Sequence, residues 1–381
     1  MEKKANSLDT TCFEIFGVEK FVKYFTIKKA SFWYCVNFGF ERFAERRSKN
    51  WKTNEIAIKN GKVILVFKCP MLPNVEELSE DLIIHGDFIK DVSYSVDNIE
   101  LIINRIAEAG GKILSPIEKI SDENGSVKIA KIASLHGTLI HSIIQNLDYK
   151  GIFLPGFCRI ENFTLAQKLG PINILSLDHV VENYDENITE SVADWYSKIL
   201  NLTRFWSIDD NQVYTNFSAL KAQIVSNSSN NVQVTLVEPV PQNTKGRGQI
   251  REYLDFHGGP GIQHIAFKVD SIISIVAEMR NRGVQFLDIP DSYYIQLAKR
   301  LDGSPLRVKE SLADIQKQQL LIDFDENGYL LQTFSKPMQD RPSLFVEIIQ
   351  RNNFNGFGAG NFKALFEAVE AEQKKRGTLI E

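Results

Sequence analysis

QHIAFKVDSI, residues 263–272, has a near-copy in KDVSYSVDNI at residues 90–99. The two align without a gap at an offset of 173 positions, and the same offset sets Gly86 on Gly259 and Gly110 on Gly283. In each copy an apolar strand leads to Val-Asp and then to a helix-periodic stretch, IELIINRIAEAGG or IISIVAEMRNRGV. A glycine and a further strand, KILS or QFLD, follow. Two more stretches pair: SFWYCVNFGFERF (31–43) with ADWYSKILNLTRF (193–205), and LIHSIIQNLDYKGIFLPGF (139–157) with LFVEIIQRNNFNGFGAGNF (344–362). Self-similarity of this kind marks a duplicated architecture.

Each half therefore reads as two strand-helix-strand-strand-strand modules, an α+β fold in which two open, barrel-like sheets each enclose a cleft. The N-terminal domain is expected over 1–155 and the C-terminal domain over 172–381, with GIFLPGFCRIENFTLAQKLGP (151–171) as the linker. A doubly wound parallel sheet is disfavoured, because helices are too few and no G-x-G-x-x-G follows a first strand. With 381 residues, 43% hydrophobic and 24% charged, the chain belongs to the ordinary globular class. A net charge of −4 offers no footprint for nucleic acid and points to a small-molecule partner. The four cysteines, Cys12, Cys35, Cys69 and Cys158, form no C-x-x-C pair, and no apolar run is long enough for a membrane span. A cytoplasmic location is the expectation.

The repeat serves as an internal control, since a structural residue survives in both copies more often than one added for chemistry. Opposite His264 the first copy has Asp91, and opposite Glu347 it has Ser142. Counting back from the Trp-Tyr pairs puts the counterpart of His179 between Gly17 and Glu19, again without a histidine. Period-two alternation sets Leu175, Leu177 and His179 on one face, His264 with Ile262 and Ala266, and Glu347 with Phe345 and Ile349. A buried Glu347 needs a cation, and its strand is expected to contain no Lys or Arg. One bound metal satisfies all three residues. Two imidazoles and a carboxylate suit non-haem Fe(II) oxygen chemistry, zinc hydrolases and isomerases use similar ligands, and three hydrogen-bonded core residues remain the plain alternative. His136 and His141 read as structural, and His85 and His257, each before a glycine, as sharing a turn role.

FWSIDDNQVYTNFSALKA, GIQHIAFKV, LLQTFSKPMQDRPSLFVEIIQRNNFNGFGAGNF and KALFEAVEAEQKKRG together resemble the 4-hydroxyphenylpyruvate dioxygenase family of the vicinal oxygen chelate superfamily, from about Phe16 to Leu379. The resemblance implies one Fe(II) per subunit on His179, His264 and Glu347. It implies catalytic roles for Gln263, Gln332 and Phe334, and a substrate pocket that includes Gln249, Phe345, Phe357, Asn361 and Phe362. It implies conversion of 4-hydroxyphenylpyruvate and O2 to homogentisate and CO2, as in tyrosine and phenylalanine catabolism, by a homo-dimer or homo-tetramer. The N-terminal domain is then a degenerate copy without a metal site. A helix over about 360–376, after GFGAGN, is expected to act as a lid, with Phe362, Leu365, Phe366 and Val369 on its apolar stripe and Leu365 and Val369 as plain core packing.

Three pocket positions depart from the family pattern. Ala222 stands where a serine is expected, and the run Thr235-Leu236-Val237-Glu238-Pro239 replaces a proline with Thr235 and an asparagine with Val237. That run is more similar to 4-hydroxymandelate synthase, which acts on the same substrate and oxidises the benzylic carbon instead. A catalytically silent binding protein that kept the fold is the third reading.

Overall fold

The computed structural model describes residues 9–16, 26–48, 50–73, 75–160, 168–208, 219–240 and 248–379. Its first half is built from β1 (Asp9–Phe16), α1 (Thr26–Phe38), β2 (Glu41–Arg47), β3 (Thr53–Asn60) and β4 (Val63–Pro70). After helix α2 (Glu76–His85) come β5 (Phe88–Ser95), α3 (Ile99–Glu108), β6 (Ile113–Asp122), β7 (Gly125–Ala133) and β8 (Ile140–Asn146). The strand order is β6-β7-β8-β5-β1-β4-β3-β2, and a short β9 (Cys158–Arg159) adds to the β2 edge.

The second half repeats this plan with β10 (Ser176–Asn183), α4 (Thr189–Leu200), β11 (Thr203–Ile208), β12 (Leu220–Ser226) and β13 (Gln233–Pro239). Helix α5 (Gln249–His257) then leads to β14 (Gly261–Lys268) and α6 (Ile272–Asn281). Two extra helices, α7 (Asp291–Asp302) and α8 (Leu312–Lys317), precede β15 (Leu321–Phe324), β16 (Tyr329–Phe334) and β17 (Phe345–Asn352). The order β11-β12-β13-β10-β14-β17-β16-β15 matches the first sheet. In both sheets the two modules meet at a central antiparallel pair, β1 with β5 and β10 with β14, flanked by parallel pairs. The expected α+β duplication is what the chain forms. One expected strand is absent: QFLD makes an isolated bridge from Phe286 to Ser335, because the chain turns there into α7 instead of extending along the sheet edge.

The duplication extends to side-chain detail. Helix α3 buries Ile99, Ile102, Ile103 and Ile106, and α6 buries Ile272, Ile275, Val276 and Met279, the same four positions at the 173 offset. Each helix has its first amide bonded to a glutamine on the closing strand: Ile99 N donates to Gln145 Oε1 (3.1 Å) and Ile272 N to Gln350 Oε1 (2.8 Å). These amides are among the four that a helix leaves unpaired at its start, so the shared IIQ of the two copies is a tertiary cap.

A continuous apolar core joins the halves, with Phe38 and Phe40 against Phe267 at ring separations of 6.2 and 5.7 Å. His85 and His257 are buried and stack at 4.4 Å, and His85 Nδ1 donates to the His257 carbonyl (2.7 Å). Their matching places in the sequence thus reflect a contact across the junction as well as a turn. His141 is likewise structural: fully buried, it lies 3.2 Å from the Val92 carbonyl and 3.3 Å from the Tyr196 hydroxyl. Among the described residues no helix is long and apolar enough to cross a membrane.

Candidate metal centre

His179, His264 and Glu347 come together at the centre of the second sheet, all buried. Glu347 Oε2 lies 3.1 Å from His179 Nε2 and 3.4 Å from His264 Nε2, and one ligand atom from each of the three falls within 4.8 Å of the others. The register explains the convergence. His179 and Glu347 both sit opposite Ala266, on the strands either side of β14.

Two irregularities in the central pair set the geometry. Between Leu177 and His179 the β10 strand carries an extra residue, Asp178, and between His264 and Ile262 the β14 strand carries Gln263. A bulge breaks strict alternation and re-aims the residues around it, which is why bulges gather beside active sites. Here each bulged residue turns its side chain to the histidine that follows. His179 Nδ1 is 2.9 Å from Asp178 Oδ1, and His264 Nδ1 is 2.9 Å from Gln263 Oε1. A carboxylate only accepts, so Nδ1 of His179 carries a proton towards Asp178, and Nε2 is the ring atom that faces the cluster. The expected face sharing of Leu175 with His179 fails for the same reason, and Leu175 is exposed.

Arg351 anchors this arrangement. Its Nε and Nη2 donate to the two oxygens of Asp178 at 2.8 Å each. The expectation that the Glu347 strand holds no cation is thereby corrected: β17 runs on to Asn352 and contains Arg351, but the guanidinium serves Asp178 rather than Glu347. Burial opposes charge on Asp178, yet Arg351 and His179 outweigh it and hold the carboxyl below its ordinary value. Burial also opposes charge on His179, where Glu347 and Asp178 prevail and raise the imidazole to about 9. His264 moves the other way, lowered chiefly by burial. For Glu347 burial is outweighed by the two imidazoles, so its carboxyl is lowered.

The donor set fits a divalent cation. Glu347 Oε1 is buried without a hydrogen-bond partner, both Nδ1 atoms are engaged, and both Nε2 atoms point at one place. In the first half the corresponding residues have closed the gap among themselves. Ser142 N and Oγ donate to the two oxygens of Asp91 at 2.9 and 2.5 Å. Ser142 is the register counterpart of Glu347, as expected. The window Gly17–Glu19 lies outside the described residues, and the register instead equates His179 with Cys12, which sits opposite Ser93 as His179 sits opposite Ala266. Counting from the Trp-Tyr pairs misses this because the segment from first strand to first helix is longer in the first half.

A cavity of about 60 Å³ lies over the cluster. The expected residues Ala222, Thr235, Val237, Gln249, Gln263, Gln332, Phe334, Phe345, Phe357 and Phe362 all reach its wall. Phe345 stacks on the His264 ring at 4.6 Å and Phe357 meets the His179 ring edge to face at 5.6 Å. Thr235 Oγ1 is buried there without a partner. Asn361 is fully buried beside this wall, its oxygen accepting from the Tyr293 hydroxyl at 2.9 Å. Leu365, expected as plain core packing, also lines the cavity, because helix α9 (Phe362–Arg376) forms part of its wall together with Phe362 and Phe366. The sequence reading missed Asp178 and Arg351. The signal was the matched dipeptides Asp178-His179 and Gln263-His264, an acceptor before each histidine.

Comparison with known proteins agrees with this geometry. Residues 186–296 match the model of the Glyoxalase/Bleomycin resistance protein/Dioxygenase superfamily, and fold and site together define a vicinal oxygen chelate enzyme with a metal centre. The chain is 45% identical to 4-hydroxyphenylpyruvate dioxygenase of Caenorhabditis briggsae over 93% of its length and 90% of the relative. It is 41% identical to that of Danio rerio over 92% and 89%. A triple mutant of 4-hydroxymandelate synthase from Streptomyces coelicolor superposes with a TM-score of 0.80 at 27% identity, covering 96% of this chain and 98% of that one. The chain belongs to the 4-hydroxyphenylpyruvate dioxygenase family.

Proposed function

We propose that the protein holds Fe(II) on His179, His264 and Glu347 and converts 4-hydroxyphenylpyruvate and O2 to homogentisate and CO2. The observation that carries this reading is the pair of imidazole Nε2 atoms aimed at one carboxylate oxygen, each ring fixed from behind, in a chain of this family. The ion would supply the oxygen activation that couples loss of the substrate carboxyl to hydroxylation of the ring.

The chain's own residues do the rest. Glu347 is the one anion among the three ligand side chains, so the occupied centre carries a net positive charge suited to a 2-oxo carboxylate. Phe334, Phe345, Phe357 and Phe362 exclude water and offer faces and edges to an aromatic ring. Gln249, Gln263 and Gln332 place neutral amides around it, which orient polar groups without competing for the cation. A volume of about 60 Å³ is far below the roughly 300 Å³ at which small-molecule pockets begin, so α9 must move for substrate to enter. Turnover in the cytoplasm by a homo-oligomer is part of this reading.

The test is oxygen uptake on adding 4-hydroxyphenylpyruvate to iron-loaded protein, with chromatography of the product. Homogentisate is the expected product. 4-Hydroxymandelate would place the chain with the synthases that its Thr235 and Val237 resemble, and iron without uptake would leave a silent binding protein.

A further inference from the structure

The first half carries an open cleft of its own, about 740 Å³, against about 60 Å³ over the metal cluster. It occupies the matching place in the fold. Lys68 sits opposite Glu55 as Val237 sits opposite Ala222, and Lys131 opposite Ser142 as Phe334 sits opposite Glu347. Lys90 is the bulged residue before Asp91, as Gln263 is before His264. Three wall positions that are neutral in the second half therefore carry an ammonium group in the first. Lys52 and Lys112 bring the lysines on this wall to five.

Two carboxylates on the wall, Glu80 and Asp81, offset part of this charge, and Lys90 is paired to Asp81 at 2.7 Å. Behind it Glu55 meets Lys68 at 3.3 Å and Asp91 lies 3.7 Å from Lys131. Among the described residues the wall itself keeps an excess of cations, and a concave arrangement focuses their potential where a flat one would disperse it. The remainder of the wall is apolar. Leu72 and Leu114 are about half exposed beside the lysines, and Leu139 and Ile140 lie deeper. A plain solvated lysine face explains the charge but not exposed leucines gathered in the same concavity. A second copy of the chain fits poorly, because an isologous contact sets a patch against itself and would bring like charges together.

We propose that this cavity binds an amphiphilic organic anion, an apolar body with a doubly charged head such as an organic phosphate. The degenerate half is then a ligand-binding module in its own right. This inference stands apart from the iron chemistry.

The test is calorimetric titration of the iron-loaded full chain with 1-naphthyl phosphate, with 1-naphthol and inorganic phosphate as the two halves of the probe. One saturable site per chain is expected, tighter at low salt, with each half-probe at least about tenfold weaker. Lys52→Glu with Lys112→Glu should weaken it at least about tenfold while turnover of 4-hydroxyphenylpyruvate and the melting temperature stay unchanged. Lys112→Gln alone, a milder change at an exposed position, should weaken it severalfold and reads the same charge if the double reversal unfolds the chain. The proposal is overturned by absence of saturation at millimolar probe, by equal affinity for 1-naphthol, by affinity indifferent to these substitutions, or by displacement with 4-hydroxyphenylpyruvate.

Discussion

Asp178 shows how much one inserted residue decides. Bulged out of the strand, it fixes the tautomer of the histidine that follows and is itself fixed by two bonds from Arg351. Asp178→Asn keeps an acceptor for His179 but discards the charge, and supporting partners of this kind are worth about 10- to 100-fold in metal affinity. A competitive chelator titration should show that loss with the fold intact, and unchanged affinity would remove Asp178 from the site. Arg351→Met is expected to be worse for stability than for chemistry, since it strands a buried carboxylate at a cost of about 3–5 kcal/mol, readable as a lower urea midpoint. The three converging residues were legible in the sequence because the duplicated half supplied Asp91 and Ser142 for comparison. Asp178 and Arg351 were not, because an alternating pattern has no place for a bulge and the strand end at Arg351 was drawn too early.

Helix α9 gives Phe362, Leu365 and Phe366 to the cavity wall, and the proposed entry of substrate turns on it. Its N-terminal end leaves Gly358 at φ +73, and a Cβ there would come within 2.5 Å of the Gln332 amide, so only glycine allows the chain to approach this closely. Its far end is tied down by Arg376, whose Nη2 donates to Glu252 Oε1 and Oε2 at 3.1 and 2.9 Å, and by Glu372, which pairs with Lys336 at 3.2 Å. Removing one tether with Arg376→Ala should favour the open helix, raising KM several-fold while the metal content is unchanged from the parent. An unchanged KM would mean that substrate enters elsewhere. The helix and its apolar stripe were evident from spacing alone. That Leu365 faces the cavity was not, since the spacing gives a face but not what lies opposite it.

At the scale of the molecule, the junction between halves is built on neutral histidines. Burial holds His141 down to about 4 and His257 down to about 3. An unfolded chain protonates both near pH 6.5, so between that pH and the native values it binds more protons, and stability falls as pH falls by about 1.4 kcal/mol per unit for each. Glu182 works oppositely. Burial raises its carboxyl to about 7 although it accepts from Tyr184 and Tyr196 at 2.7 Å each. Between about pH 4.5 and 7 the native state is the one that binds the proton, so Glu182 adds stability as pH falls and loses it as pH rises. Glu182→Gln deletes that offset, so the variant should lose about 3 kcal/mol more than the parent on going from pH 7 to 4.5. Urea unfolding at the two pH values checks this, and parallel losses would contradict it. The two-fold plan of the chain was readable from its repeats, whereas the histidine stack and the buried carboxylate arise only where the halves meet, a contact that neither copy encodes alone.

The most direct measurement is an anomalous difference map at the iron edge, from crystals grown without oxygen in Fe(II). A single strong peak within bonding distance of His179 Nε2, His264 Nε2 and a Glu347 oxygen is the expected result. An empty cluster, or iron bound elsewhere while these three side chains bond only to one another, would contradict the assignment of the metal centre.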